Sequence, residues 1–248
     1  MPAPSARSQF IYVDAQLWPL PVSATSVPVA ITQGPAGVIV VETAELIPKH
    51  LPEHAGAERL LDYHWLVYER HSLESRGMVE RAFFEVIAES YESAIDRLRN
   101  RRCFDELLDR AAVSEGSLVL DFGCGSGVNL RAHERTRFIG CDVSASMRRI
   151  AGSEGHRVVD LHGLSAMEGH FDAVVASYVL HLAIPGSDLE TAARSLAVGG
   201  RFAANFHKGI GLDHVAGVLM RSGMVACPLE EAAEHGQHGV IAVWERRP

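Results

Sequence analysis

The sequence predicts an α/β fold whose larger part is a doubly wound, mostly parallel seven-stranded sheet with helices on both faces. Three observations lead to this prediction. From Ser117 onward, short apolar runs alternate with segments of helical periodicity, which is typical of βαβ units. The apolar run at 118–120 ends in Asp121, and glycines then follow at alternate positions. A second run ends in Asp142, so two carboxylates are expected at the carboxyl edge of neighbouring strands, where such sheets bind ligands.

The first 80 residues are predicted to form an extension outside that sheet. Proline and glycine turns separate short apolar runs at 10–13, 27–31 and 37–41, which indicates a small antiparallel sheet. The segment 58–71 has the apolar spacing of a helix, with Leu61, Trp65 and Tyr68 on one face. We therefore expect one extension at 1–80, made of short strands and a helix, and one main domain at 81–248.

The main domain begins with helices and continues as alternating strands and helices. Helices are expected at 78–99 and 103–112, before the first strand. Strands are expected at 118–122, 137–142, 156–160, 171–177 and 200–206, and helices at 127–134, 144–152, 187–197 and near 212–222. Right-handed crossovers follow from strand twist. The last strand, at 240–244, is expected to run antiparallel beside a short partner near 224–226.

Bulk composition sets outer limits on function. The 248 residues carry a formal net charge of −8, which argues against a general nucleic-acid binder but leaves a local basic patch open. The four cysteines lack zinc or redox spacing, and free thiols fit a reducing cytoplasm. No basic segment precedes an apolar signal-like run, and no apolar run is long enough to span a membrane. The expected location is therefore cytoplasmic.

Six short motifs follow one another in a fixed order along the main domain. They lie at 84–92, 121–127, 140–147, 159–161, 171–181 and 196–202. In this order they resemble the motifs of class I (Rossmann-like) S-adenosylmethionine-dependent methyltransferases. The resemblance implies that the chain binds S-adenosylmethionine and gives S-adenosylhomocysteine as the product. Metal-assisted members of the family carry an aspartate after strand four and an Asp-Asn pair after strand five. Only Asn205 stands near the latter position, so no metal is expected.

The resemblance assigns each motif a part of the cofactor. Gly123 and Gly125 would let the amino-acid tail lie against bare backbone. Asp121 would either orient this loop or face the tail's ammonium group. Asp142 would accept hydrogen bonds from both ribose hydroxyls, because a carboxylate has two acceptor oxygens. Asp160 would accept the adenine amino group. The full cofactor set is Tyr91, Asp121, Phe122, Gly123, Cys124, Gly125, Asp142, Val143, Met147, Asp160, Leu161, Ser177 and Tyr178.

Two histidines are candidates for the proton acceptor. His181 follows the fourth strand and His207 follows the fifth, so both are expected at the reactive edge. A histidine titrates near neutrality and can take a proton from a hydroxyl, an amine or an acidic carbon. Lining the pocket without proton transfer remains the alternative for both.

Absent motifs direct the choice of acceptor. The loop at 177–180 lacks the Asn/Asp-Pro-Pro-Tyr sequence typical of enzymes that methylate nucleobase amines. With the acidic charge, this favours a small-molecule acceptor in specialised metabolism, with no nucleic acid, no membrane and a possible homodimer. Three alternatives stay open: non-methylating chemistry on the same fold, such as cyclisation or elimination; sensing of the cofactor without turnover; and methylation of a protein, which would need an open acceptor cleft. In the resembled family, extensions such as 1–80 commonly cap the acceptor pocket or mediate dimerisation.

Other nucleotide sites fit the sequence less well. An NAD fingerprint needs Gly-x-Gly-x-x-Gly, whereas here the third glycine comes one residue early. The sequence contains no Gly-x-x-x-x-Gly-Lys, which argues against a phosphate-binding loop of that kind.

Overall fold

The computed structural model describes residues 8–26, 28, 30–130, 136–228 and 239–248. These residues form two compact units, which divide between Ile87 and Ala88. The helix that ends at Ile87 thus belongs to the first unit. No helix among the described residues is both long and apolar enough to cross a membrane.

The first unit is a five-stranded sheet with one long helix. Its elements are β1 (Gln9–Asp14), β2 (Ala30–Gln33), β3 (Val38–Thr43), β4 (Ala55–Leu61), β5 (His64–Glu69) and α1 (Leu73–Ile87). The strand order is β2-β3-β1-β5-β4, with β1 and β5 parallel and the other pairs antiparallel. On one face, Tyr12 packs edge-on against Phe83 of α1, with ring centroids 5.1 Å apart. On the other face, a second cluster surrounds Ile11, Val13 and Val67.

The helix expected at 58–71 is wrong, because β4 and β5 form an antiparallel hairpin there. The chain reverses at Tyr63, whose φ of +65° is left-handed and incompatible with a continuing helix. The apolar spacing was misleading because β5 is covered on both faces, so Leu66 and Val67 are both fully buried. A strand buried on both faces loses the alternation that distinguishes it from a helix.

The helices before the second sheet also differ from the expected ones. Instead of helices at 78–99 and 103–112, the chain forms α1, a single turn α2 (Tyr91–Ala94) and α3 (Arg97–Arg110). Asp96 starts α3, since its carboxylate accepts a hydrogen bond from the backbone N–H of Arg99 at 2.9 Å. A side-chain cap of this kind fixes where a helix begins.

The second unit confirms the predicted fold class. Its strands are β6 (Leu118–Phe122), β7 (Arg137–Cys141), β8 (Val158–Val159), β9 (Phe171–Ala176), β10 (Leu196–Phe206), β11 (Met224–Ala226) and β12 (Val240–Arg246). They form one seven-stranded sheet in the order β11-β12-β10-β9-β6-β7-β8. Among the described strands of this sheet, β12 is the one of reversed direction, since it pairs antiparallel with both β10 and β11.

Helices cover both faces of this sheet. They are α3, α4 (Ala145–Ser153), α5 (Leu161–Ser165), α6 (Gly186–Ser195) and α7 (Leu212–Arg221). Phe104 and Leu107 of α3 pack with Val119 and Val175 on one face. Helices α5, α6 and α7 contribute to the larger cluster on the other face. The helix expected at 127–134 does not form as an α-helix over 127–130; residues 131–135 lie outside the described part of the chain.

The sheet order reverses between β6 and β9. From β6 the chain proceeds through β7 to β8 on one side, and then returns to add β9 and β10 on the other. The crevice at such a switch point, outside the carboxyl ends of the strands, is where doubly wound sheets bind their ligands.

Candidate cofactor and acceptor site

The glycine loop after β6 is fastened to the end of β7. The backbone N–H groups of Gly123 and Cys124 both donate to the carbonyl oxygen of Cys141, at 2.8 and 3.1 Å. Gly123 has a φ of +79°, and a Cβ there would lie 2.5 Å from the side chain of Val179. The loop after β9 therefore packs against bare backbone at this point, and only glycine permits both the conformation and the approach.

Asp142, directly after β7, bridges the glycine loop and helix α4. Its Oδ2 accepts from the N–H of Gly125 at 2.8 Å, and its Oδ1 accepts from the N–H of Ser144 at 2.9 Å. Ser144 in turn caps α4 by accepting from the N–H of Met147 at 3.1 Å. The carboxylate predicted to hold the ribose thus also sets the position of the loop predicted to hold the amino-acid tail.

Asp121 is a buried carboxyl group beside a second carboxylate. It is 1% exposed, and its Oδ2 has no hydrogen-bond partner among the residues that the structure describes. Burial, and secondarily the charge of Asp142, raise the pKa of Asp121 to about 8. A buried acid of this kind is stabilised in its charged form by a nearby cation. S-adenosylmethionine carries an ammonium group and a sulfonium, so its chemistry fits the polar atom that the protein leaves unpaired here.

Tyr91 lies over the glycine loop from the amino-terminal side. A Cβ on Gly125 would be 3.6 Å from the Tyr91 ring. Burial raises the pKa of Tyr91 to about 12, and the charges of Asp142 and Asp121 act in the same direction. Next to it, the hydroxyl of Ser126 donates to Glu92 at 2.8 Å. The short helix α2 is thereby tied to the loop that follows β6.

The residues predicted for the adenine end follow β7 and β8. Asp160 caps α5, accepting from the N–H of Gly163 at 2.8 Å, and this bond lowers the pKa of its carboxyl group. Val143, two residues beyond the end of β7, is 45% exposed. The other predicted members are less accessible: Leu161 is half-buried, whereas Met147, Phe122 and Cys124 are buried.

The loop after β9 is held by a residue of β10. Tyr178 has a φ of +53°, a left-handed conformation that is costly for a residue with a side chain. Its N–H donates to Oδ1 of the fully buried Asn205 at 2.7 Å. On the side-chain end, Nε of Arg99 donates to the Tyr178 hydroxyl at 3.1 Å. Ser177 and Tyr178 thus stand at the same edge as the two carboxylates.

The two candidate proton acceptors are neighbours. The rings of His181 and His207 have centroids 6.4 Å apart. Their loops meet at Gly211, whose φ is +85° and where a Cβ would lie 2.4 Å from the carbonyl oxygen of Leu180. The fold therefore brings the loops after β9 and β10 together, as their positions in the sequence predicted.

Three residues contribute to this edge in ways that the sequence did not predict: Arg99, Glu92 and Asn205, which positions Tyr178. The run of arginines at 97–102 was a visible signal, but its position beside Tyr178 depends on the packing of α3. Within the described ranges, no group of three or more His, Cys, Asp or Glu side chains is arranged to hold a metal ion.

Comparison with known proteins identifies the family that part of this unit matches. Residues 119–200 match the family described as "Methyltransferase domain", and this stretch spans the glycine loop, Asp142 and the loop after β9. The chain thus carries a methyltransferase domain, as its resemblance to class I S-adenosylmethionine-dependent methyltransferases implied. Solved methyltransferase structures share the fold of this domain. One, a TehB-like S-adenosylmethionine-dependent methyltransferase from Corynebacterium glutamicum, has 22% identity and a TM-score of 0.51, covering 65% of this chain and 99% of the other.

A second solved structure gives the same fold. It is a chain of the complex between the Haloferax volcanii Trm112 methyltransferase activator and a methyltransferase, with 18% identity and a TM-score of 0.51. The match covers 66% of this chain and 98% of that one.

Curated relatives match a shorter stretch of the chain. A probable tRNA methyltransferase 9B from Bos taurus is 37% identical over 68 residues, which is 27% of this chain and 15% of the relative. A tRNA (carboxymethyluridine(34)-5-O)-methyltransferase from Arabidopsis thaliana is 36% identical over 72 residues, 28% of this chain and 18% of the relative. The chain thus matches less than a fifth of the length of these relatives.

These relatives correct the expectation about partners. The net charge and the missing motif predicted a small-molecule acceptor and no nucleic acid, whereas the curated relatives are named as tRNA methyltransferases. The exclusion is wrong because it rested on the net charge of the whole chain and on one missing motif. Net charge does not describe a local surface, and the missing motif is typical only of enzymes that methylate base amines.

Proposed function

We propose that this protein transfers the methyl group of S-adenosylmethionine to a nucleotide of RNA, with tRNA as the acceptor class. The observation that carries the methyl-transfer part is the glycine loop with its two carboxylates: Asp142 bonded to the loop, and Asp121 buried beside it without a partner for Oδ2. The acceptor class is supported by the names of the curated relatives.

The residues of the loop and of the neighbouring strand end would hold the cofactor. Asp121 would face its positive charge, Asp142 its ribose, and Asp160 with Val143 and Leu161 its adenine. Gly123 and Gly125 would leave backbone open to the tail, and Tyr91 would cover it. Bound there, S-adenosylmethionine supplies an electrophilic methyl group on a sulfonium.

The protein's contribution to transfer would be positioning and proton removal. Ser177 and Tyr178, held by Asn205, would form the wall beside the reacting atoms. His181 and His207 would take the proton that the attacking oxygen, nitrogen or carbon loses. Holding two reactants in line supplies much of the rate enhancement in such displacements, and a positioned base adds to it.

Two measurements test this proposal in sequence. Calorimetry with S-adenosylhomocysteine tests the cofactor site, and we expect saturable binding with one site per chain. Incubation with methyl-labelled S-adenosylmethionine and total tRNA then tests transfer, and we expect label in RNA that is sensitive to ribonuclease. Binding without label in RNA would contradict the tRNA acceptor. Loss of the cofactor's methionine portion without methyl transfer would instead indicate non-methylating chemistry.

A further inference from the structure

The first turns of α3 carry an unusual concentration of positive charge. Four of the six residues at 97–102 are arginines, and none of the six is acidic. The whole chain, by contrast, has a formal net charge of −8. A local positive potential arises only where arginines outnumber the acids around them. A cluster of this kind is therefore notable in an acidic protein.

These arginines lie on the solvent side of α3. Phe104 and Leu107 turn the opposite side of the helix into the core, whereas Arg97, Arg99 and Arg102 are exposed. Residues three or four positions apart are neighbours on a helix surface, so Arg99 lies beside Arg102, and Arg97 beside Arg101. The two pairs lie next to each other on the solvent half of the helix, about 100° apart at Arg101 and Arg102. We call the four residues the α3 arginine surface.

Acidic residues flank this surface on both sides, at 92, 96, 105, 106 and 109, so the excess of positive charge is confined to 97–102. Arg97 pairs with Glu92 at 3.3 Å, and Arg101 pairs with Asp105 at 3.0 Å. Glu106, one turn after Arg102, pairs with Arg110 instead, and none of the ion pairs among the described residues includes Arg102. A guanidinium has five N–H donors, so an exposed arginine in a single ion pair can still donate to a phosphate.

One contact connects the α3 arginine surface to the reactive edge. Arg99 donates to the Tyr178 hydroxyl at 3.1 Å, with its guanidinium carbon 5.8 Å from the centre of the ring. Tyr178 follows β9, at the edge where the cofactor carboxylates end their strands. Positive charge and an aromatic ring therefore meet beside the place of methyl transfer. Proteins that recognise single-stranded RNA use this combination: cations for phosphates, and aromatic or guanidinium planes for bases.

Resting on the proposed function, we infer that the α3 arginine surface binds the phosphate backbone of the RNA acceptor next to the nucleotide that is methylated. Arg101 and Arg102 would contact phosphates, and Arg99 with Tyr178 would mark the end of the surface nearest the reacting base. Phosphate contacts of this type position the acceptor without reading its sequence.

The test compares two double variants of the full-length protein with the same charge change. Arg101→Gln/Arg102→Gln alters the α3 arginine surface. Arg137→Gln/Arg157→Gln is the control, because both residues are exposed and stand at the starts of β7 and β8, the opposite edge of the sheet. Binding of fluorescein-labelled total tRNA is measured by anisotropy over a range of salt concentrations, and binding of S-adenosylhomocysteine by calorimetry.

We expect the α3 variant to bind tRNA about tenfold more weakly, and its plot of log affinity against log salt to be shallower by about 1.4, as two lost phosphate contacts predict for a single strand. The control should match the wild type, and both variants should keep wild-type affinity for S-adenosylhomocysteine. Equal loss in both variants, or no loss in the α3 variant, would overturn the inference while tRNA methylation could stand. A wild-type protein that binds S-adenosylhomocysteine but not tRNA would also overturn it.

Discussion

Asn205, at the end of β10, accepts the backbone N–H of Tyr178 through Oδ1 at 2.7 Å. This bond joins two neighbouring strands just beyond their carboxyl ends and holds Tyr178 in a left-handed conformation. The left-handed conformation depends on this bond, because a sparsely populated backbone conformation persists only where the surrounding structure imposes it. The bond thus fixes the backbone of the loop after β9.

Asn205→Leu should lower methyl transfer while leaving cofactor binding intact. The substitution keeps the volume but removes the acceptor, so the loop at Tyr178 relaxes away from its left-handed conformation. We expect kcat to fall by about tenfold to a hundredfold, as small displacements of positioning groups do. Steady-state kinetics and calorimetry with S-adenosylhomocysteine measure the two effects. Unchanged kcat in a folded variant would show that the bond does not matter for transfer.

Asp142→Asn should weaken binding of S-adenosylhomocysteine by about tenfold to a hundredfold, the loss expected for one or two hydrogen bonds to a charged group. The same substitution at Asp172 is a matched control. Asp172 also accepts a backbone N–H, that of Leu118 at 2.8 Å, but at the other end of the sheet. Calorimetry measures the affinity of both variants for S-adenosylhomocysteine. Equal affinity of Asp142→Asn and wild type would show that Asp142 does not bind the cofactor.

Asp121 should make the free protein less stable as the pH rises. Its pKa is raised from an ordinary value of 3.8 to about 8 in the folded protein. Between those values the folded state keeps a proton that the unfolded state has released, so the free energy of unfolding falls from about pH 4 to pH 8. Above pH 8 both states are ionised, and the contribution no longer changes.

Urea unfolding at several pH values checks this dependence. Asp121→Asn should flatten the decline, because an amide does not titrate, and it should be more stable than wild type at pH 8. Parallel curves for the two proteins across this range would contradict the raised pKa.

His181→Gln and His207→Gln separate the two candidate proton acceptors. Removing the general base should lower kcat by about a hundredfold or more without changing the affinity for S-adenosylhomocysteine. His170→Gln serves as the control, because His170 lies just before β9, at the opposite edge of the sheet. Full turnover in both His181→Gln and His207→Gln would exclude proton removal by either residue.

Ser75→Ala should destabilise the first unit. The Ser75 hydroxyl donates to Oδ2 of the buried Asp14 at 2.5 Å and accepts the N–H of Glu69 at 2.9 Å. Its removal leaves a buried carboxylate short of a donor, at a cost of about 1 to 3 kcal/mol. Thermal unfolding of the full chain measures the loss, with Ser153→Ala, at the exposed end of α4, as the control. Equal stability of both variants would contradict a role for this bond.

Prediction from the sequence succeeded where a local pattern is compatible with one kind of structure. The alternation from Ser117 onward specifies the strands and helices of the second unit, and the acids at 121 and 142 fall at neighbouring strand ends. It failed at 58–71, because an apolar run buried on both faces has no period of its own. The prediction of a small-molecule acceptor without nucleic acid also failed, because the net charge of a whole chain does not describe the charge of one local surface.

The sequence by itself determined the doubly wound sheet, the glycine loop and the placing of Asp121, Asp142, His181 and His207 at one edge, because strand ends and turn glycines are encoded within a few residues of each other. Only the tertiary structure decided that Asn205 holds Tyr178, that Arg99 contacts the same tyrosine, and that Asp121 is buried with an unpaired oxygen. Those relationships join residues from distant parts of the chain, and they depend on side-chain packing that no local pattern records.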